Sequence, residues 1–170
     1  ATITVSVSGT TCSGAPKTFQ VTVNPTPALN QPSDEVVCDN TTVPAIVFTG
    51  SVAGTVYNWT NSNTSIGLPA SGTGDIASFT AINNSNAPVT AVITVTPVIG
   101  SCNGTPKTFS ITVNPVADVN QPTNQVICSG NSFADIHFSG SVPGTIYNWT
   151  NDNPAIGLPA SGTGDLSFAA

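Results

Sequence analysis

The chain of 170 residues is acidic and almost free of basic side chains, with two lysines, eight acidic residues and a net charge of −6. This charge excludes nucleic-acid binding, which needs clustered Lys and Arg, and it excludes a polybasic membrane anchor as well. No apolar run approaches the ~20 residues that span a bilayer, so we expect no membrane insertion.

The first 25 residues read as strands that end at a proline-rich boundary. Ala1 to Val5 is a strand-like run, and the boundary is Asn24-Pro25-Thr26-Pro27. Proline restricts φ and lacks an amide donor, so this boundary cannot continue a central strand. Residues 165–170 again resemble a strand, and we expect both ends of the chain to interrupt strands of a longer protein.

Short alternating segments follow along the chain. We expect strands at 35–38, at 46–48, at 55–60, at 76–82, at 91–95 and at 107–113. Apolar residues alternate there with Thr and Ser, a period of two that is typical of a sheet with one solvent-exposed face. The predicted core residues are Phe48, Tyr57, Trp59, Ile93, Val95, Phe109, Ile111 and Val113.

A shift of 90 residues aligns the chain with itself, and 42 of the first 75 positions are then identical. The run Ile66-Gly-Leu-Pro-Ala-Ser-Gly-Thr-Gly-Asp75, for example, recurs at 156–165. A period of 90 is too long for a solenoid, whose units have roughly 20–50 residues, and it suits a small sandwich domain. One residue is missing after Asp165, where we expect a turn or bulge to absorb the deletion.

These patterns predict an all-β chain of tandem antiparallel β-sandwich domains, about 90 residues each. Residues 1–25 would be the C-terminal strands of a preceding repeat, 26–115 a complete repeat, and 116–170 the N-terminal part of a following repeat. Because 1–25 match 91–115, they are the segment that would complete a unit starting at 116. We therefore expect neighbouring repeats or copies to be partners, stacked head to tail.

Four cysteines recur with the same period, and their even number favours disulfides in an oxidising compartment. One pairing joins Cys38 to Cys102 within a repeat and leaves Cys12 and Cys128 to partners outside the chain. The other joins Cys12 to Cys38 and Cys102 to Cys128 across the boundaries. We favour the first pairing, which would contribute about 4 kcal/mol in the chain-entropy model.

No catalytic constellation stands out, and we expect no enzyme activity. The single histidine, His137, stands where the other repeat has Val47, so we expect it on a solvent-facing strand position. We expect no cofactor. The one alternative is calcium at a repeat junction, held by Asp75 or Asp165 with other oxygen ligands such as those of Asp34 or Glu35.

The aromatic pair Tyr57 and Trp59 has two interpretations. In sandwich domains a Trp on the third strand fills the core, which is the interpretation we favour. The alternative is an exposed platform for a surface glycan or protein.

The repeat resembles the PKD-like and Ig-like tandem repeats of giant cell-surface proteins of the Bacteroidota. The resembling motifs are Val36-Val-Cys38, Gly54-Thr-Val-Tyr-Asn-Trp-Thr-Asn61, Ile66 to Asp75, Ala91-Val-Ile-Thr-Val-Thr-Pro97 and Pro106-Lys-Thr-Phe-Ser-Ile-Thr-Val-Asn-Pro115. The resemblance implies an extracellular adhesion or gliding-motility protein exported by type IX secretion. It implies a stalk or filament segment without catalytic residues. The alternative function, which depends on the aromatic residues, is a carbohydrate- or protein-binding module that could accompany a secreted enzyme.

Overall fold

The computed structural model describes residues 1–132 and 134–167, and over these residues the regular secondary structure is almost entirely β-strand. The strands are β1 (Thr2–Val5), β2 (Lys17–Gln20), β3 (Glu35–Cys38), β4 (Thr42–Val43), β5 (Val56–Asn61), β6 (Ser71–Thr73), β7 (Phe79–Thr80), β8 (Val89–Ile99), β9 (Cys102–Asn103), β10 (Lys107–Asn114), β11 (Asn148–Thr150) and β12 (Ser161–Thr163). One-turn 3₁₀ segments lie at Thr64–Ile66 and Pro154–Ile156. The all-β prediction is confirmed.

Residues 26–115, called the middle unit below, contain one large sheet and one small one. The large sheet has the strand order β3-β10-β8-β5-β6, and β9 folds back on β8. Every pairing in it is antiparallel except that of β3 with β10, the first and last strands of the unit, which is parallel. The small sheet pairs β4 with β7 and continues through an isolated bridge between Ile46 and Ile76.

A single apolar core lies in the middle unit. Val43 from the small sheet and Ile93 from the large sheet are both fully buried in the same cluster. All eight residues predicted for the core are buried. This two-sheet arrangement around one core is consistent with a β-sandwich.

The core needs a glycine at one position of β6. Gly72 pairs with Trp59, and a Cβ atom added to Gly72 would lie 2.2 Å from Cζ2 of the indole. A side chain there would displace the tryptophan, so the glycine is needed for this close approach. Gly162 and Trp149 repeat the same contact at the same 2.2 Å separation.

The flanking segments repeat parts of the middle unit. The N-terminal hairpin (residues 1–21) pairs β1 with β2, and the C-terminal segment (residues 116–167) pairs β11 with β12. Leu166 bridges Ile136 as Ile76 bridges Ile46, so the missing residue falls beyond Leu166 and not directly after Asp165 as expected. Phe168, at the end of the expected strand, lies outside the described residues.

Candidate functional site

The C-terminal segment leaves open a sheet edge that is covered in the middle unit. There β5 pairs with β6 on one side and with β8 on the other. The matching strand β11 pairs with β12 alone among the described residues. Tyr147 and Trp149, which correspond to the buried Tyr57 and Trp59, are therefore only half-buried.

A concave pocket with a volume of 570 Å³ lies beside this edge. Phe138, Tyr147 and Trp149 line it, together with residues 117–119 and 145–146. Phe138 and Tyr147 pack with ring centroids 5.9 Å apart, close to the 5.8 Å of Phe48 and Tyr57 in the closed core. The aromatic side chains are thus arranged as in a core, but one wall of that core is missing.

The N-terminal hairpin shows the complementary feature, an apolar face without a partner. Ile3, Val5 and Phe19 are 39%, 51% and 53% exposed. Their counterparts Ile93, Val95 and Phe109 are 0%, 0% and 3% exposed in the middle unit. The same residue types at the same register are therefore buried in one repeat and open in the other.

His137 forms the one ion pair among the described residues. Its Nδ1 lies 2.6 Å from a carboxylate oxygen of Asp165, and the other oxygen of Asp165 accepts the N–H of Phe138 at 2.9 Å. The hydrogen bond and charge of Asp165 raise the pKa of His137, and the hydrogen bond from His137 lowers the pKa of Asp165. His137 is exposed, in agreement with the sequence prediction.

The structure does not join Cys38 to Cys102, the pairing that we favoured from the sequence. Cys38 lies beside Asn114 at one end of the large sheet, and Cys102 lies beside Ile99 at the other end. Ten residue-to-residue steps along β8 separate Val89 from Ile99, a distance of roughly 33 Å. A disulfide needs Cα atoms within about 7 Å, so this geometry rules out a bridge between the two within the unit. All four cysteines are free thiols, and the alternative pairing is not formed within this chain either.

The acidic residues are dispersed over the described part of the chain. No three His, Cys, Asp or Glu side chains group as metal ligands there. Asp75 accepts the N–H of Phe48 at 2.8 Å and Asp34 accepts that of Ser110 at 2.6 Å, so both carboxylates bind backbone groups. The backbone hydrogen bond from Ser110 lowers the pKa of Asp34. Calcium at a repeat junction stays a prediction.

One polar residue of the core was missed by sequence reasoning. Asn83 is 6% exposed and its side-chain amide donates to the carbonyls of Val113 and Ala87, at 2.8 and 2.9 Å. Its own N–H donates to the carboxylate of Asp39 at 2.7 Å. It lies in 81–90, a segment that has no second copy in the chain, so the repeat gave no signal for it.

No protein-family model matches the chain, and no curated protein matches it. Among the described residues, no helical segment has the length and hydrophobicity that a membrane span requires.

Proposed function

We propose that the chain is a structural segment of a stalk or filament in a large secreted surface adhesin. Tandem Ig-like sandwich repeats of about 90 residues would act as spacers in it. The observation that carries this proposal is the parallel pairing of β3 with β10, the strands by which the chain enters and leaves the middle unit. We call this pairing the terminal clamp.

The terminal clamp is suited to resist tension. Four Cα pairs join its strands, from Glu35 with Ile111 to Cys38 with Asn114. Tension on the chain would pull the start of β3 and the end of β10 in opposite directions along the strands. The hydrogen bonds between them would therefore be loaded together in shear and would not open one after another.

Side chains before β3 reinforce the terminal clamp. The amide of Gln31 donates to the carbonyl of Thr108 at 2.7 Å, and the carboxylate of Asp34 accepts the N–H of Ser110 at 2.6 Å. Both bonds join the entering segment to β10 across more than 70 residues of sequence. They extend the clamp beyond the four paired residues toward the proline-rich boundary.

Further support comes from the sequence. The resemblance to tandem repeats of bacterial surface proteins implies an extracellular, Bacteroidota-type adhesin exported by type IX secretion. Only 6% of the residues are charged, and no three His, Cys, Asp or Glu side chains group as metal ligands among the described residues. A spacer domain needs only a closed hydrophobic core and first and last strands that resist separation under tension.

Single-molecule force spectroscopy on the 170-residue chain tests the role. We expect the middle unit to rupture in one discrete event. The 80 residues from 35 to 114 would then extend by roughly 260 Å, at ~3.4 Å per residue less the short folded span. Asp34→Ala should lower the rupture force and keep the released length. Asp118→Ala is the matched control, because Asp118 accepts the N–H of Ser141 at the same 2.6 Å but outside the clamp. Gradual extension without a discrete event would overturn the spacer role.

The alternative is a module that binds a glycan or a protein through exposed aromatic residues. Trp59 is 7% exposed, which argues against a platform on the middle unit. The concave pocket beside Tyr147 and Trp149 is the observation that favours it in the C-terminal segment. Tryptophan fluorescence titration with soluble polysaccharides would test this, with Trp149→Phe as the variant that should remove any response.

A further inference from the structure

We propose that the middle unit binds a neutral sugar residue in a groove beside Trp59 and Asp75. The groove has a volume of 360 Å³ and lies between β6, the last strand of the large sheet, and the segment 75–79 that leads to the small sheet. Ser71 and Ser78 also line it. The site lies entirely within the middle unit, and it goes beyond the proposed spacer role because a spacer needs no ligand.

The first group that points to a ligand is the indole N–H of Trp59. The side chain is 7% exposed, and its Nε1 atom is buried without a hydrogen-bond partner among the described residues. In the C-terminal segment the equivalent nitrogen of Trp149 donates to the carbonyl of Gly164 at 3.1 Å. The same direction in the middle unit leads to Gly74, which lies between two residues that line the groove. A buried donor without an acceptor is unfavourable, so this N–H favours an acceptor bound in the groove.

The second group is a carboxylate oxygen of Asp75. One oxygen of Asp75 accepts the N–H of Phe48, and the other has no partner in the part of the chain that the structure describes. In the C-terminal segment the oxygen equivalent to this second one lies 2.6 Å from Nδ1 of His137. The middle unit has Val47 at the position of that histidine, and valine cannot donate a hydrogen bond, so the oxygen stays available.

Two differences between the repeats therefore fall on this groove. One is the exchange of His137 for Val47, which leaves the carboxylate without its partner. The other is one additional residue in the middle unit between Ile76 and Phe79, where both intervening residues line the groove. The C-terminal segment pairs the donor and the acceptor internally, whereas the middle unit leaves both for a ligand.

The two groups select the chemistry of that ligand. A carboxylate in a chain with a net charge of −6 repels an anion. An ammonium group or a metal ion offers no acceptor for the indole N–H. A neutral hydroxyl group both accepts and donates, so adjacent hydroxyls of one sugar ring satisfy the indole and the carboxylate together. The apolar side chains of Leu68, Ile76 and Phe79 would cover the C–H face of the ring.

The dimensions of the groove suit a small ligand. Its 360 Å³ lies at the lower end of the range for small-molecule pockets, about 300–1,000 Å³. β6 has only three residues, Ser71–Thr73, so an added peptide strand would form few hydrogen bonds with it. Because Nε1 of Trp59 is itself buried, one water molecule would connect the indole to the sugar, and such a bridge is nearly as favourable in enthalpy as a direct bond. The indole ring stays in the core and is not an exposed platform.

NMR spectroscopy of the ¹⁵N-labelled chain tests the site, because its two indole N–H groups report separately. The probes are the methyl glycosides of glucose, galactose, mannose and N-acetylglucosamine. We expect at least one of them to shift the Trp59 resonance with a dissociation constant on the order of 1 mM. The Trp149 resonance should stay in place because its donor is already paired, and galacturonate, which is an anion, should shift neither. A Trp59 resonance that none of the four glycosides shifts, or equal shifts of both indoles, would overturn the site.

Val47→His tests the role of the carboxylate with a side chain that the other repeat already carries. The histidine should occupy the available oxygen of Asp75 and weaken glycoside binding by about tenfold, and the fold should persist because the C-terminal segment contains the same pair. His137→Val is the matched control, since it changes the equivalent position outside the groove and should leave the affinity at Trp59 unchanged. Equal affinities of the Val47→His variant and the unmodified chain would overturn the assignment of Asp75.

A neutral amide separates a sugar from a peptide as the ligand. N-acetylglycine methylamide also offers a donor and an acceptor without charge. A shift of the Trp59 resonance with this amide, and none with the glycosides, would assign the groove to a peptide and overturn the sugar. A middle unit that ruptures in one event but binds no glycoside would lose this site while the spacer role stands.

Discussion

The contribution of the β8–β10 hairpin to the core of the middle unit can be measured by comparing two equivalent positions of the repeat. Ile93 in β8 is fully buried, whereas Ile3 at the matching position of β1 is 39% exposed. Truncation of Ile93 to alanine removes three carbon groups at about 0.8 kcal/mol each, or ~2.4 kcal/mol of transfer free energy. The cavity left behind adds to this, so Ile93→Ala should lower the free energy of unfolding by about 3–4 kcal/mol.

Ile3→Ala is the matched control. In dilute monomer we expect it to cost under about 1 kcal/mol, because the residue has no core around it. Urea unfolding followed by the fluorescence of Trp59, in a Trp149→Phe background, reports the middle unit for both variants. Equal losses for the two variants, or a loss below about 1 kcal/mol for Ile93→Ala, would refute the reasoning that β8 completes the core.

Three further predictions concern single contacts. Gly72→Ala would place a methyl group against Trp59 and should cost about 1–3 kcal/mol in thermal unfolding; an unchanged midpoint would contradict the close approach. Asn83→Ala removes the hydrogen bond to the carbonyl of the fully buried Val113 and should also cost about 1–3 kcal/mol, a cost that an unchanged urea midpoint would refute. The raised pKa of His137 and the lowered pKa of Asp165 mean that their pair stabilises the fold between those two pKa values. This contribution is lost as the pH rises through the first or falls through the second. An NMR titration should place His137 above the ordinary value near 6.5, and Asp165→Asn should move it down; a value that Asp165→Asn leaves unchanged would disprove the pairing.

The strands and the core could be predicted because they depend on the local alternation of apolar and polar residues. Phe109, Ile111 and Val113 alternate with polar residues, and that pattern alone assigns one face to the core. The strand predicted at 76–82 was only partly right, since the structure has a bridge at Ile76 and a two-residue strand at Phe79–Thr80.

The ends of the sheet could not be predicted from the repeat. A period identifies equivalent positions, such as Cys12 and Cys102, but it does not say which end of a domain they occupy. That depends on β3 pairing in parallel with β10, a contact between residues more than 70 positions apart in sequence. The antiparallel arrangement assumed for the whole sandwich made the bond between Cys38 and Cys102 look feasible.

Hydrogen exchange of the backbone amides tests the central claim most directly, which is that a unit closes only when its terminal hairpin covers the sheet. In dilute solution the amides of β8 and β10 should exchange at the rate of global unfolding of the middle unit, whereas those of β1 and β2 should exchange orders of magnitude faster. Equal protection of both hairpins in the monomer would contradict the claim.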